Sequence, residues 1–108
     1  MSKRWKDPIH PGEVLADELD EIGLNANELA KRLDLPHGRI YDILREERAI
    51  TASTALRLGK FFGTGPELWM NLQKEYDLEV TEKKEASRLK SIKPFKMKKS
   101  TARKAMRV

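Results

Sequence analysis

Between residues 10 and 24 apolar and polar side chains follow the three- and four-residue spacing of an amphipathic helix. Pro11 suits the first turn, where its missing N–H is not needed, and Glu13 suits the positively polarised N-terminal end. Gly23 is a natural stop. The pattern therefore predicts a first helix from about His10 to Gly23. Its apolar stripe consists of Val14, Leu15, Leu19 and Ile22.

The next twenty residues, 25 to 44, have the pattern of two short helices joined by a tight turn. Asn25 can cap the first helix through its side-chain oxygen, and Glu28 completes a capping box. Asp34 occupies a turn position that often needs a left-handed backbone, which Asp tolerates better than most residues. Pro36 would open the second helix. The apolar positions would face inwards from two crossing helices: Leu29, Leu33, Leu35, Ile40, Ile43 and Leu44.

The outer face of the second predicted helix carries donors, acceptors and an aromatic ring, the groups that meet base edges and phosphates in the major groove. We therefore predict a DNA-binding helix-turn-helix, although this window alone also fits a helical hairpin with a solvated charged face. The groove would be met by His37, Gly38, Arg39, Tyr41, Asp42 and Arg45. Phosphates would be held by Asn25, Asn27 and Arg48, with Lys31 and Arg32 nearby. Arg39 and Arg45 can pair with either guanine or phosphate.

Two further helices are predicted after this motif. Thr51 or Ser53 can cap a helix that runs to about Phe62 and stops at Gly63. Thr64 and Glu67 form a second capping-box pattern, which would open a helix with apolar side chains at helical spacing. These are Leu68, Trp69, Leu72 and Tyr76, of which Trp69, Leu72 and Tyr76 are expected in the core or in a dimer interface. The predicted fold is all-α, with about five helices and no strand.

We predict three parts in the chain: an N-terminal lead (1–9) containing Trp5, a helical domain (10–79) and a basic tail (80–108). Residues 86–108 hold nine of the 22 basic side chains and none of the 17 acidic ones. Residues 1–85 therefore have a formal charge of −4 and the tail of +9, so the basic pI does not support DNA binding by the helix-turn-helix. A short helix is predicted from Thr81 to Ile92, and the sequence beyond Pro94 is typical of disorder. The tail is either a solubilising extension or an arm that binds phosphates or an acidic protein.

Several classes of function are not supported by the composition. The chain has no cysteine, and its two histidines, His10 and His37, have no carboxylates at metal-ligand spacing. No Gly-rich phosphate loop or positioned catalytic set is found, so we expect no enzyme, no metal and no cofactor. No stretch is long and apolar enough for a signal peptide or a transmembrane helix. A cytoplasmic protein with no membrane partner is expected.

Three segments together resemble the HigA-type antitoxins, or plasmid-maintenance antidote proteins, of the XRE/lambda-repressor-like group. They are HPGEVLADELDEIGL at residues 10–24, the helix-turn-helix, and ITASTALRLGKFFGTGPELWMNLQKEYDL at residues 50–78. The resemblance covers most of the chain, from His10 to Leu78. Ala26 replaces a Gln that contacts phosphate in many relatives, and Pro36 replaces a frequent hydroxyl residue.

The resemblance implies a lambda-repressor-like domain that acts as the antitoxin of a type II toxin–antitoxin pair. In that family the partner is a RelE-like (HigB-like) mRNA endonuclease, and the complex represses its own operon. A homodimer with two recognition helices would require an inverted-repeat operator. Three alternatives remain at this stage: a helix-turn-helix repressor without a toxin, a toxin-neutralising protein that does not bind DNA, and the RNA-cleaving toxin itself. The absence of predicted strands disfavours the last.

Overall fold

The computed structural model describes residues 7–96, which form six α-helices and no strand. The all-α prediction is confirmed, with one helix more than the five expected. The predicted features of residues 1–6, including Trp5, and of residues 97–108 lie outside the described part of the chain. In order, the helices are α1 (Pro11–Ile22), α2 (Ala26–Leu33), α3 (Arg39–Leu44), α4 (Ala52–Phe62), α5 (Pro66–Lys84) and α6 (Ala86–Lys90).

The helix ends follow the predicted caps at α2 and α4, and α1 stops at Gly23 as predicted, whereas the His10 cap of α1 was not predicted. His10 caps α1 because its Nδ1 accepts from the Gly12 N–H at 2.9 Å, and Pro11 is the first helical residue. Thr51, rather than Ser53, caps α4 by accepting from the Thr54 N–H at 3.3 Å. Gly23 and Gly63 end α1 and α4 with φ of 74°, a left-handed conformation that favours glycine.

The core lies where α1 to α5 meet, with the most extensive packing between α4 and α5. Trp69 of α5 is only 1% exposed and packs beside Phe62, with 5.9 Å between ring centroids. Ile22 departs from the predicted stripe: it is 46% exposed at the last position of α1, beside an open depression that Leu24 and Phe61 also line. The remaining large buried side chains are Leu15, Leu19, Leu29, Leu33, Ile40, Ile43, Ile50 and Leu58.

The second helix of the motif begins three residues later than predicted. Gly38 has a φ of 92°, which no α-helix contains, so Pro36, His37 and Gly38 form a turn instead of the first helical turn. The Arg39 N–H closes this turn by donating to the Pro36 carbonyl at 3.1 Å. Helix α3 is consequently short, with six residues.

The start of α5 was also predicted wrongly. Pro66 takes the first helical position, so the cap is Gly65, with φ of 85° and no side chain that could form a cap bond. Thr64 instead donates its hydroxyl to the Gly65 carbonyl at 3.0 Å. Gly59 of α4 lies against this turn so closely that a Cβ at position 59 would be 2.3 Å from the Gly65 carbonyl carbon. The bend is therefore set by a backbone-to-backbone contact.

Helix α5 continues for five residues beyond residue 79, where the domain is predicted to end. It runs through residue 79 to Lys84, since no Gly or Pro interrupts residues 67–93. No new helix begins at Thr81; the break comes at Glu85, and α6 follows. The molecule is elongated, with principal-axis extents of 53, 32 and 22 Å. Within residues 7–96 no helix has the length and apolar character needed to cross a membrane.

Candidate nucleic-acid interface

The turn between α2 and α3 has the backbone that the sequence predicts. Asp34 is left-handed, with φ of 56° and ψ of 48°. The next N–H, that of Leu35, returns to the Ala30 carbonyl at 2.9 Å, which closes the end of α2. Ala30 is buried, so the small side chain lets α3 pack on α2. This unit positions every residue of the predicted DNA face except Arg48.

The N-terminal end of α2 is closed by the predicted capping box. The Glu28 N–H donates to Asn25 Oδ1 at 2.8 Å, and the Asn25 N–H donates to Glu28 Oε1 at 2.9 Å. The Asn25 oxygen is thus occupied, and its side-chain amide group is the part that remains to donate to a phosphate. Asn27 and Lys31 are exposed on the same helix.

At the other end of the motif, α3 and the loop after it bring four predicted residues together. Arg45 donates to Asp42 Oδ1 at 3.3 Å, and Arg48 Nε lies 3.7 Å from Asp42 Oδ2. The Arg45 guanidinium also lies 5.9 Å from the centroid of the Tyr41 ring, which is within range of a cation–π contact. Glu47 is a second carboxylate partner of Arg45, at 3.3 Å.

This cluster is accessible and nearly neutral. The Arg45 and Arg48 side chains are 58% and 46% exposed. Two carboxylates balance these two guanidinium groups in the chain as it stands. A phosphate that approached either arginine would therefore compete with these carboxylates for the guanidinium group.

Two polar side chains that were not predicted from the sequence, one on α4 and one on α5, support the predicted DNA face. Arg57 of α4 donates from Nε to the Leu33 carbonyl at 2.8 Å, which satisfies the C-terminal end of α2. Gln73 of α5 accepts from the Ile50 N–H at 2.7 Å. A polar residue beside the apolar stripe of α5 was the available signal for Gln73, whereas nothing in the sequence marked Arg57.

Gly12 fixes α1 against α3 in the same way that Gly59 fixes α4 against the following turn. A Cβ at position 12 would be 2.1 Å from the Ile43 carbonyl oxygen, a distance that no side chain can occupy. The start of α1 therefore supports the C-terminal end of the recognition helix directly.

The other predicted residues lie outside the cluster of Tyr41, Asp42, Arg45 and Arg48. In the turn before α3, His37 is exposed and Gly38 is half-buried, and Arg39 is half-buried at the first position of the helix. In the predicted dimer set, Trp69 lies in the core of the single chain, while Leu72 and Tyr76 are half-buried. Tyr76 packs edge-on against His10, with ring centroids 4.8 Å apart.

Comparison with known proteins finds a match to one family and similarity to three individual proteins. The helix-turn-helix family matches residues 15–69. Virulence-associated protein I of Dichelobacter nodosus is 49% identical over 80 residues, 73% of this chain and 74% of that protein. The structure of an addiction module antidote protein of the HigA family from Coxiella burnetii has a TM-score of 0.80 and 50% identity, covering 82% of this chain and 99% of that one. The Pseudomonas aeruginosa antitoxin HigA, in a structure with the higBA promoter, has a TM-score of 0.79 and 41% identity, again covering 82% and 99%.

Proposed function

The chain belongs to the helix-turn-helix family, among the HigA-type antitoxins, and on that premise we propose that it binds the promoter of its own operon and represses it. The observation that carries this proposal is the exposed cluster of Tyr41, Arg45 and Arg48 at the C-terminal end of the α2–α3 unit. The similarity to an antitoxin solved with promoter DNA supports it. His37, Gly38, Arg39 and Asp42 complete the proposed groove face, and Asn25, Asn27 and Lys31 the phosphate contacts.

The test is a mobility-shift titration with the DNA upstream of the protein's own gene. Arg45→Ala should weaken specific binding by about 1–3 kcal/mol if the guanidinium reads a base, and His37→Ala should also weaken it. Lys83→Ala, which removes one charge from the distal end of α5, is the matched control. Wild-type affinity in both single variants and in their double variant would show that the groove assignment is wrong.

We propose that the protein acts as a homodimer on an inverted repeat, with its two recognition helices about one DNA turn, roughly 34–36 Å, apart. Leu72 and Tyr76 support a dimer surface on α5, since they line an open groove together with Ile9 and Val14. Leu72→Glu should give a folded monomer in light scattering and weaker operator binding. Leu78→Glu is the control, because Leu78 is 62% exposed on the same helix. A dimer in both variants would remove this surface from the proposal.

As the toxin we propose a RelE-like mRNA endonuclease encoded beside this gene. The family membership supports this pairing. Co-expression should restore growth that the neighbouring gene arrests when expressed alone, and the two proteins should co-purify. If the neighbouring product neither arrests growth nor binds, the protein is a repressor without a toxin.

A further inference from the structure

Gln73 is a polar side chain buried at the junction of α5 with the loop that follows the recognition helix. It is 5% exposed, on the helix that also contributes Trp69 to the core. Both ends of its amide are hydrogen-bonded. Oε1 accepts from the Ile50 N–H at 2.7 Å, and Nε2 donates to Asp77 Oδ1 at 2.9 Å.

The first of these bonds fixes the end of the α3–α4 loop. Ile50 is buried and lies outside any helix, so its N–H has no helical carbonyl to bond and needs a side-chain partner. Gln73 is that partner, across 23 residues of sequence. Arg48 lies only two residues before Ile50, and the loop already contains a constrained left-handed residue, Glu46, with φ of 63°. The segment between the end of α3 and the bonded Ile50 therefore spans only residues 45–49.

The second bond sets which way the amide points. Asp77 Oδ1 can only accept, so it holds the NH₂ group of Gln73 and leaves the carbonyl oxygen facing Ile50. A reversed amide would place two donors against each other at Ile50. Asp77, on the exposed side of α5, thereby orients a buried group one helical turn away.

We propose that Gln73 is a positioning residue for DNA binding. Through its bond to the Ile50 N–H, Gln73 sets the position of Arg48, and Asp77 sets the orientation of the Gln73 amide. This inference rests on the DNA-binding function proposed above. It assigns to α5 a direct part in shaping the DNA-contacting loop.

The experiment compares two single variants with a paired one, using the promoter fragment and amide hydrogen exchange. Gln73→Glu keeps an acceptor for Ile50 but places a carboxylate against Asp77, and should weaken promoter binding about five- to tenfold. The paired variant Gln73→Glu, Asp77→Asn reverses the second bond, because the new amide at position 77 can donate to the new carboxylate at position 73. It should return affinity to within about twofold of the wild type and restore slow exchange at Ile50. Asp77→Asn alone controls for the loss of one charge.

A double-mutant cycle separates positioning from a general loss of stability. In the Arg48→Ala background, Gln73→Glu should cause no further loss of affinity, since the residue that it positions is gone. Additive losses, or no rescue by the paired variant, would overturn the proposal. The failure of the proposed function is recognised differently: the wild type itself would not shift the promoter fragment. Even then, hydrogen exchange tests the hydrogen bond separately. If the exchange rate of the Ile50 amide is unchanged in Gln73→Met, the hydrogen bond does not hold the loop.

Discussion

At the scale of single residues, the proposed DNA face depends on how its side chains are held before DNA arrives. Asp42 lies in the middle of α3 and pairs with Arg45 and Arg48, so one carboxylate orders two cations. Ion pairs this exposed contribute little to stability. We expect these pairs to affect DNA binding instead, because a phosphate at either arginine would compete with the carboxylates.

Asp42→Asn should therefore raise affinity for random DNA and reduce the preference for the promoter. Removing the anion leaves both arginines more positive but less well ordered, and the slope of log affinity against log salt should steepen by about 0.9 for each additional phosphate neutralised. Fluorescence anisotropy over a salt series measures both quantities. A loss of all DNA binding would show instead that holding the arginines matters more than their charge.

Asn25 has a structural role and a predicted DNA contact, and two substitutions separate them. Asn25→Ala should cost about 1 kcal/mol in the free energy of unfolding, because the cap on Glu28 is lost. Asn25→Ser retains a good cap and should restore most of that stability. If the Asn25 amide binds phosphate, promoter affinity stays reduced in Asn25→Ser. Full affinity in that variant would leave Asn25 as a cap alone.

At the scale of elements, α5 connects the core to the loop between α3 and α4, which carries the proposed phosphate contact Arg48. Its N-terminal half places Trp69 in the core and Gln73 under the loop. Its C-terminal half projects with Leu78 exposed. The whole helix is about 28 Å long at 1.5 Å per residue, so α6 begins well away from the core.

Trp69→Ala should cost about 3–5 kcal/mol in the free energy of unfolding, since it empties the largest fully buried site. That loss is large for a domain of this size. Leu68→Ala and Met70→Ala are controls at exposed neighbouring positions and should change stability far less. Urea denaturation followed by circular dichroism gives the three values. Equal losses at all three positions would contradict the placement of Trp69 in the core.

The helices were predictable where local chemistry decides them. The capping box of Asn25 and Glu28, the stop at Gly23 and the left-handed Asp34 all depend on neighbours within four residues. The errors arose where local signals competed. Pro36 suggested a helix start, but the left-handed Gly38 delays the start of α3 to Arg39. Pro66 likewise moves the cap of α5 from the expected Thr64 to Gly65. Contacts such as Gln73 with Ile50 join residues far apart in sequence, and no periodicity reveals them.

At the scale of the whole molecule, charge is separated along the chain. The acidic body and basic tail meet near Glu85, where α5 ends. Of the basic residues 86–108, the structure describes residues 86–96, which are exposed throughout and add nothing to the core. The domain that carries the DNA face is therefore built without it.

A chain that ends at Glu85 should fold normally and keep its preference for the promoter over random DNA. It should bind all DNA more weakly and with a shallower salt slope, because up to nine cations are removed. Parallel titrations of the full and shortened chains at several salt concentrations provide the comparison. Equal slopes would assign the tail to a protein partner, and the shortened chain would then lose toxin neutralisation while its DNA binding stayed intact.

The contact between Gly12 and the Ile43 carbonyl has a consequence for genetics. Every single-base missense change in a glycine codon encodes a residue with a Cβ, and at this position that atom would be 2.1 Å from a backbone oxygen. A screen for loss of repression after random mutagenesis will therefore recover alleles at codon 12, far from any base-reading side chain. Such alleles will reduce the amount of protein in the cell, whereas alleles at Arg45 will leave it unchanged. Immunoblotting each allele thus separates damage to the scaffold from damage to recognition.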